Sequence, residues 1–95
     1  MLFQKRKRGN PKIGDLIEVI AARKNPAYIM KLEGDRPVGG IYVPTSVLGV
    51  YLGWQTIDLH VDWVECQVFL YNDSKHALIN GTLKKFREKQ TVPNT

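Results

Sequence analysis

The sequence predicts an all-β domain: a small barrel of five to seven short strands with extended N- and C-terminal tails. Three observations predict it. Apolar side chains recur with a period of two, Gly and Pro punctuate the chain at short intervals, and no stretch of about 11 residues keeps a helical period with capping residues at its ends. At 95 residues the chain supports one hydrophobic core region and excludes a two-lobed architecture. A hydrophobic fraction of 43% against 24% charged residues is the composition of a chain that folds.

Residues 13–22, Ile-Gly-Asp-Leu-Ile-Glu-Val-Ile-Ala-Ala, open with a Gly-Asp turn and are β-branched on both sides of Glu18, which predicts a buried first strand. Pro26 holds Asn25 in extended geometry and stops that strand. In residues 27–33 Tyr28, Met30 and Leu32 alternate with Ile29, Lys31 and Glu33, as in a half-exposed strand, and Gly34-Asp35-Arg36-Pro37 closes it with a turn. Residues 38–44 carry Gly39-Gly40 and end at Pro44, which fits a loop or an edge segment.

Residues 47–56 are expected to turn Leu48, Val50, Leu52 and Trp54 inward, while Gly49 and Gly53 permit the bend that a small barrel needs. The same period continues with Ile57, Leu59, Val61 and Trp63 inward, then shifts to Val64, Cys66, Val68 and Leu70. A bulge or turn is therefore expected around Asp62-Trp63. Residues 71–75 read as a hairpin loop, 76–79 as a short return strand and Asn80-Gly81 as a tight turn. Leu83 and Phe86 are spaced as in one helical or 3₁₀ turn. The domain boundaries that result are a basic arm over residues 1–12, a barrel over 13–87 and a polar tail over 88–95.

Charge is gathered at the start. Lys5, Arg6, Lys7, Arg8 and Lys12 precede the first acidic residue, Asp15, and the remaining Lys and Arg balance the nine acidic residues. Such an arm, followed by Gly9, Asn10 and Pro11, attracts phosphate backbones or an acidic protein surface. A second cluster, Lys84, Lys85, Arg87 and Lys89, is opposed by Glu88 alone. No apolar run reaches the roughly 18–20 residues of a membrane-spanning helix, and charge follows Met1-Leu2-Phe3 at once, so a cytoplasmic or virion location and no secretion are expected.

Four runs in order, Gly14-Asp15-Leu16-Ile17-Glu18-Val19, Leu48-Gly49-Val50-Tyr51-Leu52, Cys66-Gln67-Val68-Phe69-Leu70-Tyr71-Asn72-Asp73 and Leu83-Lys84-Lys85-Phe86, resemble the layout of SH3-like barrels. In that layout a Gly-Asp opens strand one, a Leu-Gly-Val strand follows a long first loop, a Val-x-Leu strand leads into an Asn-Asp hairpin, and a short Leu-x-x-Phe element ends the domain. The likeness covers roughly residues 12–87. It resembles the small barrels of uncharacterised tailed-bacteriophage proteins and, more distantly, those of ribosome- and transcription-associated factors. The Ala-Leu-Tyr-Asp-Tyr segment and the paired-Trp groove of the peptide-binding branch are not found here, so the resemblance does not imply binding of proline-rich ligands.

The chemistry the sequence offers is sparse. In Asp58-Leu59-His60-Val61-Asp62, alternation places two carboxylates and an imidazole on one strand face, a solvated polar face or a weak divalent-ion site. Cys66, alternating with Val64 and Val68, reads as a small core side chain, and His76 as a surface residue. Cys66, His60 and His76 lack zinc-ligand spacing, and Gly39-Gly40 lacks the Gly-Lys-Ser/Thr ending of a phosphate loop. No metal, cofactor or catalytic residue is expected. Tyr51, Phe69 and Tyr71, opposite in phase to Val50, Val68 and Leu70, are the aromatic residues expected on an exposed partner-binding face.

These features predict a non-enzymatic adaptor or structural protein. Its barrel face, with Tyr51, Phe69 and Tyr71, and its arm, with Lys5, Arg6, Lys7 and Arg8, would dock onto protein subunits of a larger assembly such as a bacteriophage particle. Two alternatives stay open. One is a nucleic-acid-binding accessory protein that uses the arm with Lys84, Lys85, Arg87 and Lys89; the other is a small regulator that inhibits a host enzyme.

Overall fold

The structure, a computed structural model, describes residues 11–24 and 26–85. Seven strands follow in order: β1 (Leu16–Ile20), β2 (Ala27–Glu33), β3 (Arg36–Val43), β4 (Ser46–Leu59), β5 (Asp62–Tyr71), β6 (Ser74–Asn80) and β7 (Thr82–Lys85). They form one antiparallel sheet in the order β3-β2-β6-β5-β4-β1-β7. The fold is all-β, as the period-two pattern requires. No helix is found among the described residues, so none is long and apolar enough to cross a membrane.

Turn chemistry sets the strand ends. Gly14 adopts φ +98°, its N–H donates to the Tyr51 carbonyl at 2.8 Å, and the Tyr51 N–H donates to the Asp15 carbonyl at 2.9 Å. The Gly-Asp turn thereby starts the β1–β4 ladder, which continues from Leu16 opposite Val50. Asn72 and Asp73 both take positive φ, 53° and 61°, between the paired residues Tyr71 and Ser74, the two-residue hairpin geometry that matches strand twist. Gly81, at φ +115°, is no hairpin turn: β6 pairs with β2 and β5, whereas β7 crosses to β1.

The Leu83 segment corrects the helical expectation. Residues Thr82–Lys85 are extended and paired with β1, with Leu83 opposite Val19. The free side of β1 supplies partners for the backbone of this segment, which one isolated helical turn would leave unmet. Of residues 38–44, read as a loop or edge, 38–43 lie in β3 at one end of the sheet and Pro44 follows its last residue.

The buried side chains form two clusters on opposite sides of the sheet, where the length of the chain predicted one core, because the strands that run through the bend bury both of their faces. Ile17, Val19, Ala27, Ile29, Val43, Tyr51, Phe69 and Leu78 make the first, with Leu83 packed against it. Leu32, Ile57, Cys66, Val68 and Ala77 make the second. Successive strand side chains point to opposite faces, so burial of both Val68 and Phe69 means that β5 runs between the two cores. β6 does the same with Ala77 and Leu78.

In β4, Leu52 is the extra residue of a bulge between the pairs Tyr51–Phe69 and Gly53–Val68, and Gly53 takes φ +96° there. The bulge moves β4 from the first core to the second, and it sits at the bend that Gly49 and Gly53 were expected to permit. The other end of the sheet is folded back onto β4. The Asp58 N–H donates to the Asp35 carbonyl at 2.9 Å, and Gln55 Nε2 donates to the Gly34 carbonyl at 3.1 Å while its Oε1 accepts from Lys75 Nζ at 3.0 Å. This rolls the sheet, and among the described residues no ladder joins β3 to β7.

Candidate interaction surface

The inward and outward faces of the β4–β5 hairpin are the reverse of those expected near Tyr51. Tyr51 is 5% exposed and Phe69 0%, whereas Leu48, Trp54 and Leu70 are exposed. Gly49 explains the choice. A Cβ on Gly49 would lie 2.7 Å from Phe69 Cδ2 and 2.5 Å from the Leu70 carbonyl oxygen, so the Phe69 ring occupies the space that this residue leaves empty. An inner face made of a glycine and a large ring packs as densely as two medium side chains. The Tyr51 hydroxyl reaches Gln67 Oε1 at 3.2 Å, which satisfies its polar end.

Tyr51 and Phe69 are thus core residues and present no face to a partner. Tyr71 is half-buried, its ring 6.5 Å from that of Phe69 and edge-on to His76 at 5.3 Å. His76, expected at the surface, is buried instead. Its ring lies 6.2 Å from Phe69, and Nδ1, 2.9 Å from the Ser74 carbonyl oxygen, carries the proton and donates it.

The side of β1, β4 and β5 turned away from the first core carries the apolar surface. Register aligns Leu16 with Val50 and Val50 with Leu70 across three strands, and Leu48 lies one pleat further along β4, opposite Glu18. Leu16, Leu48 and Leu70 are exposed and Val50 half-buried. This row continues the face of the second core: Val68, two residues before Leu70, is covered by Leu32, Ile57 and Ala77, and that cover ends before Leu70 is reached. The expected inward phase Val64, Cys66, Val68 therefore holds, and it fails at Leu70.

At the far end of the hairpin, Leu59 pairs with Asp62, and the Val61 N–H donates to the Leu59 carbonyl at 2.6 Å around His60, whose φ is 69°. This is a tight three-residue turn in a conformation that a non-glycine residue rarely adopts. Val61 is 80% exposed and Trp63 60%, not inward, because the chain reverses before the expected phase change. The reversal also separates the acidic pair around His60. Asp58 lies opposite Trp63 and Asp62 opposite Leu59, on different faces. Among the described residues no three His, Cys, Asp or Glu side chains are placed to hold a metal ion.

Cys66 is buried in the second core, where burial and then the neighbouring Glu65 charge push its thiol pKa up, away from thiolate reactivity. Two shallow hollows flank the cores. One, of about 270 Å³, opens between Trp54, Glu65, Gln67 and Leu78; the other, of about 250 Å³, lies over Gly39 between Ile29, Lys31, Val38, Ile41 and His76.

The two described lysines of the second basic cluster are set beside carboxylates. Lys84 lies opposite Glu18, and Lys85 Nζ is 3.6 Å from Asp15 Oδ2. Asp15 also accepts the Lys12 N–H at 2.9 Å; that hydrogen bond first, and the Lys85 charge after it, hold its carboxyl pKa below the usual value. Lys5, Arg6, Lys7 and Arg8 of the arm, and Arg87 and Lys89 of the second cluster, lie outside the described residues, as does Phe86. The apolar row was readable from Leu16, Leu48 and Leu70 as apolar positions, and also from the absence of any charged residue between Arg36 and Asp58. Only the choice of face was missing. No protein-family model, curated protein or solved structure matches the chain.

Proposed function

We propose that the chain is a non-enzymatic adaptor of a larger protein assembly, of the kind a bacteriophage particle represents, and that it docks through the side of β1, β4 and β5 that carries Leu16, Leu48, Val50 and Leu70. The aligned row of leucines carries this reading. Three exposed leucines on one rigid sheet face are apolar area that a partner surface removes from water, at about 25 cal/mol per Å². The face replaces Tyr51 and Phe69, which serve the core. The basic arm, Lys5 to Arg8, supplies electrostatic steering toward acidic groups of the neighbouring subunits.

The SH3-like likeness is supported by position. Gly14-Asp15 opens β1, Leu48-Gly49-Val50 falls in β4 after a first connection that holds β2 and β3, Val68 to Asp73 run from β5 into the hairpin, and Leu83 lies in β7. The protein reading is favoured over the nucleic-acid reading because Lys84 and Lys85 stand against Glu18 and Asp15, which lowers the local positive potential.

The experiment is co-sedimentation of the tagged full chain with high-mass particles from its native or infected cells. The double substitution Leu48→Asp with Leu70→Asp is expected to leave the chain folded and to move it out of the particle fraction. Deletion of residues 1–11 is expected to weaken incorporation without unfolding the barrel. A doubly substituted chain that sediments with particles as the wild type does would end this reading.

A further inference from the structure

The two edges of the sheet are unlike. β7 is described over Thr82–Lys85 and carries Lys84 and Lys85. Lysines are a usual device that stops an edge strand from pairing with another chain. β3, at the other edge, spans eight residues, Arg36–Val43, of which six are exposed, and holds no charge after Arg36. Among the described residues no backbone hydrogen bond joins the outer side of β3 to another strand. Exposed Val38, Ile41 and Tyr42 line it, so β3 presents an uncharged apolar edge with unpaired N–H and C=O groups.

We propose that β3 pairs antiparallel with β3 of a second copy of this chain, across a two-fold axis at Gly40. The inference goes beyond the adaptor reading and does not depend on it. In an antiparallel ladder, residues directly opposite point to the same face, so two identical strands related by a two-fold axis pair residues an even number apart. Centring the axis on Gly40 sets Gly39 opposite Ile41 of the second copy and brings Tyr42 against Val38, the extra residue of a bulge between the pairs Lys31–Gly39 and Leu32–Pro37.

That register is self-complementary. Where a Gly39 Cβ would stand, nothing lies within 4 Å, and the space belongs to the hollow lined by Ile29, Lys31, Val38, Ile41 and His76. Ile41, two residues along and 51% exposed, is the apolar side chain that the second copy would lay over it. Each strand thus carries one hollow and one filler, equidistant from the axis, as an isologous contact requires.

The row across the four strands then reads Lys31, Gly39, Ile41 of the second copy, and Ile29 of the second copy, because Lys31 pairs with Gly39 and Ile29 with Ile41 within each chain. No like charges meet: two strands separate Lys31 from the Lys31 of the second copy, and Arg36 lies beyond the bulge, outside the ladder. At the axis itself Gly40 bears no side chain, and a Cβ there would come 2.5 Å from the Tyr28 hydroxyl, so the Tyr28 ring, tilted against Tyr42 with centroids 4.6 Å apart, closes one face of the junction. The bulge at Val38 on one side and Pro44, which lacks an N–H, on the other limit the regular ladder to residues 39–41, with Tyr42 against the bulge, and make a small, concentration-dependent contact.

Sedimentation velocity of the full chain over about 1–500 µM tests this, with amide hydrogen exchange read on β3. Expected are a rise from monomer to dimer mass with concentration and slower exchange over residues 38–42 at the dimer end. Ile41→Lys places a charge over Gly39 of the second copy and is expected to weaken dimerisation by about tenfold or more while the thermal midpoint of the dilute protein stays unchanged. Val38→Lys is the second variant, with the same expected loss, should Ile41→Lys disturb folding. Val61→Lys, an exposed site on the β4–β5 hairpin turn and outside the proposed ladder, is expected to dimerise as the wild type does. A chain that stays monomeric over the whole range, or Ile41→Lys and Val38→Lys variants that dimerise undiminished, would overturn the proposal, and edge pairing by a strand of a different protein would then be the use left for β3.

Discussion

The two sides of the sheet at β4 and β5 carry similar side chains and different loads. On one side Gly49, Tyr51 and Phe69 face Ile17 and Leu78 and are sealed from water; on the other Leu48, Val50 and Leu70 stand with Leu16 at the surface. Hydrophobicity alone does not separate them, since each side has three positions and the outer one is the more uniformly aliphatic. Volume separates them. A glycine beneath an aromatic ring is a matched pair that packs densely, whereas a row of leucines has no concavity to fill until a partner provides one. The same strands therefore supply stability with one face and an interaction surface with the other.

That division is tested first on the inner side. Phe69→Ala empties the centre of the first core and is expected to cost about 3–5 kcal/mol, a large share of the stability of a domain this size. Denaturant unfolding should show it as a lowered midpoint. Gly49→Ala is the sharper version, because it adds one methyl group where the Leu70 carbonyl is backbone and the Phe69 ring has little room to move. Overpacking of this kind is expected to cost about 1–3 kcal/mol. A neutral Gly49→Ala would mean that the inner face is loosely filled, and the volume argument would fail with it.

The elements were legible in the sequence because turn chemistry is local. Gly14-Asp15, Pro26, Gly34-Asp35 and Asn72-Asp73 each punctuate the chain where the structure turns, and the residues between them alternate. The choice of face was not legible. Between Val47 and Trp54 both phases are apolar, and which of them is buried depends on Phe69 meeting Gly49 across strands, a fact about register and not about either segment. The His60 turn was hidden for a different reason. A histidine at φ 69° contradicts the local preference that sequence reading relies on, and it is held there by the pairing of Leu59 with Asp62 on either side. Of the surface proposed for docking, the sequence showed that an apolar face exists on these strands and offered the wrong aromatic residues for it.

Smaller effects probe the rolled sheet and the outer side. Gln55→Ala removes one acceptor from Lys75 and one donor to Gly34, and thereby loosens the contact between the β2–β3 turn and β4. About 1 kcal/mol is expected, with faster amide exchange at Asp58, whose N–H donates to Asp35 in the same contact. Leu48→Asp on its own is expected to cost about 0.5–1 kcal/mol, since the side chain is already half in water and the new carboxylate stands opposite Glu18. If thermal unfolding shows Leu48→Asp as damaging as Gly49→Ala, the two sides of β4 are not distinct and the outer row is part of the core.

The smallest effect concerns Asp15, which stands at the start of β1 beside the leucine row and links the Lys12 amide to the β7 edge through Lys85. Its carboxyl pKa is held below the usual value by the Lys12 N–H and then by the Lys85 charge. The folded state therefore favours the ionised form, and the stabilisation is present above the unfolded-state pKa of about 4 and fades as pH falls through the lower folded-state value. Asp15→Asn removes the charge at every pH. The wild type should unfold at a slightly higher temperature than Asp15→Asn from about pH 7 down to about pH 5, and the two curves should converge below about pH 4 as the wild-type carboxyl protonates. Added salt should shrink the part of the gap that comes from Lys85, because this pair lies in solvent, and leave the part that comes from the Lys12 amide. A gap that persists unchanged into acid would mean that the carboxylate charge has no role in fixing β7 against β1, and that Leu83 packing on Val19 holds this edge of the sheet without it.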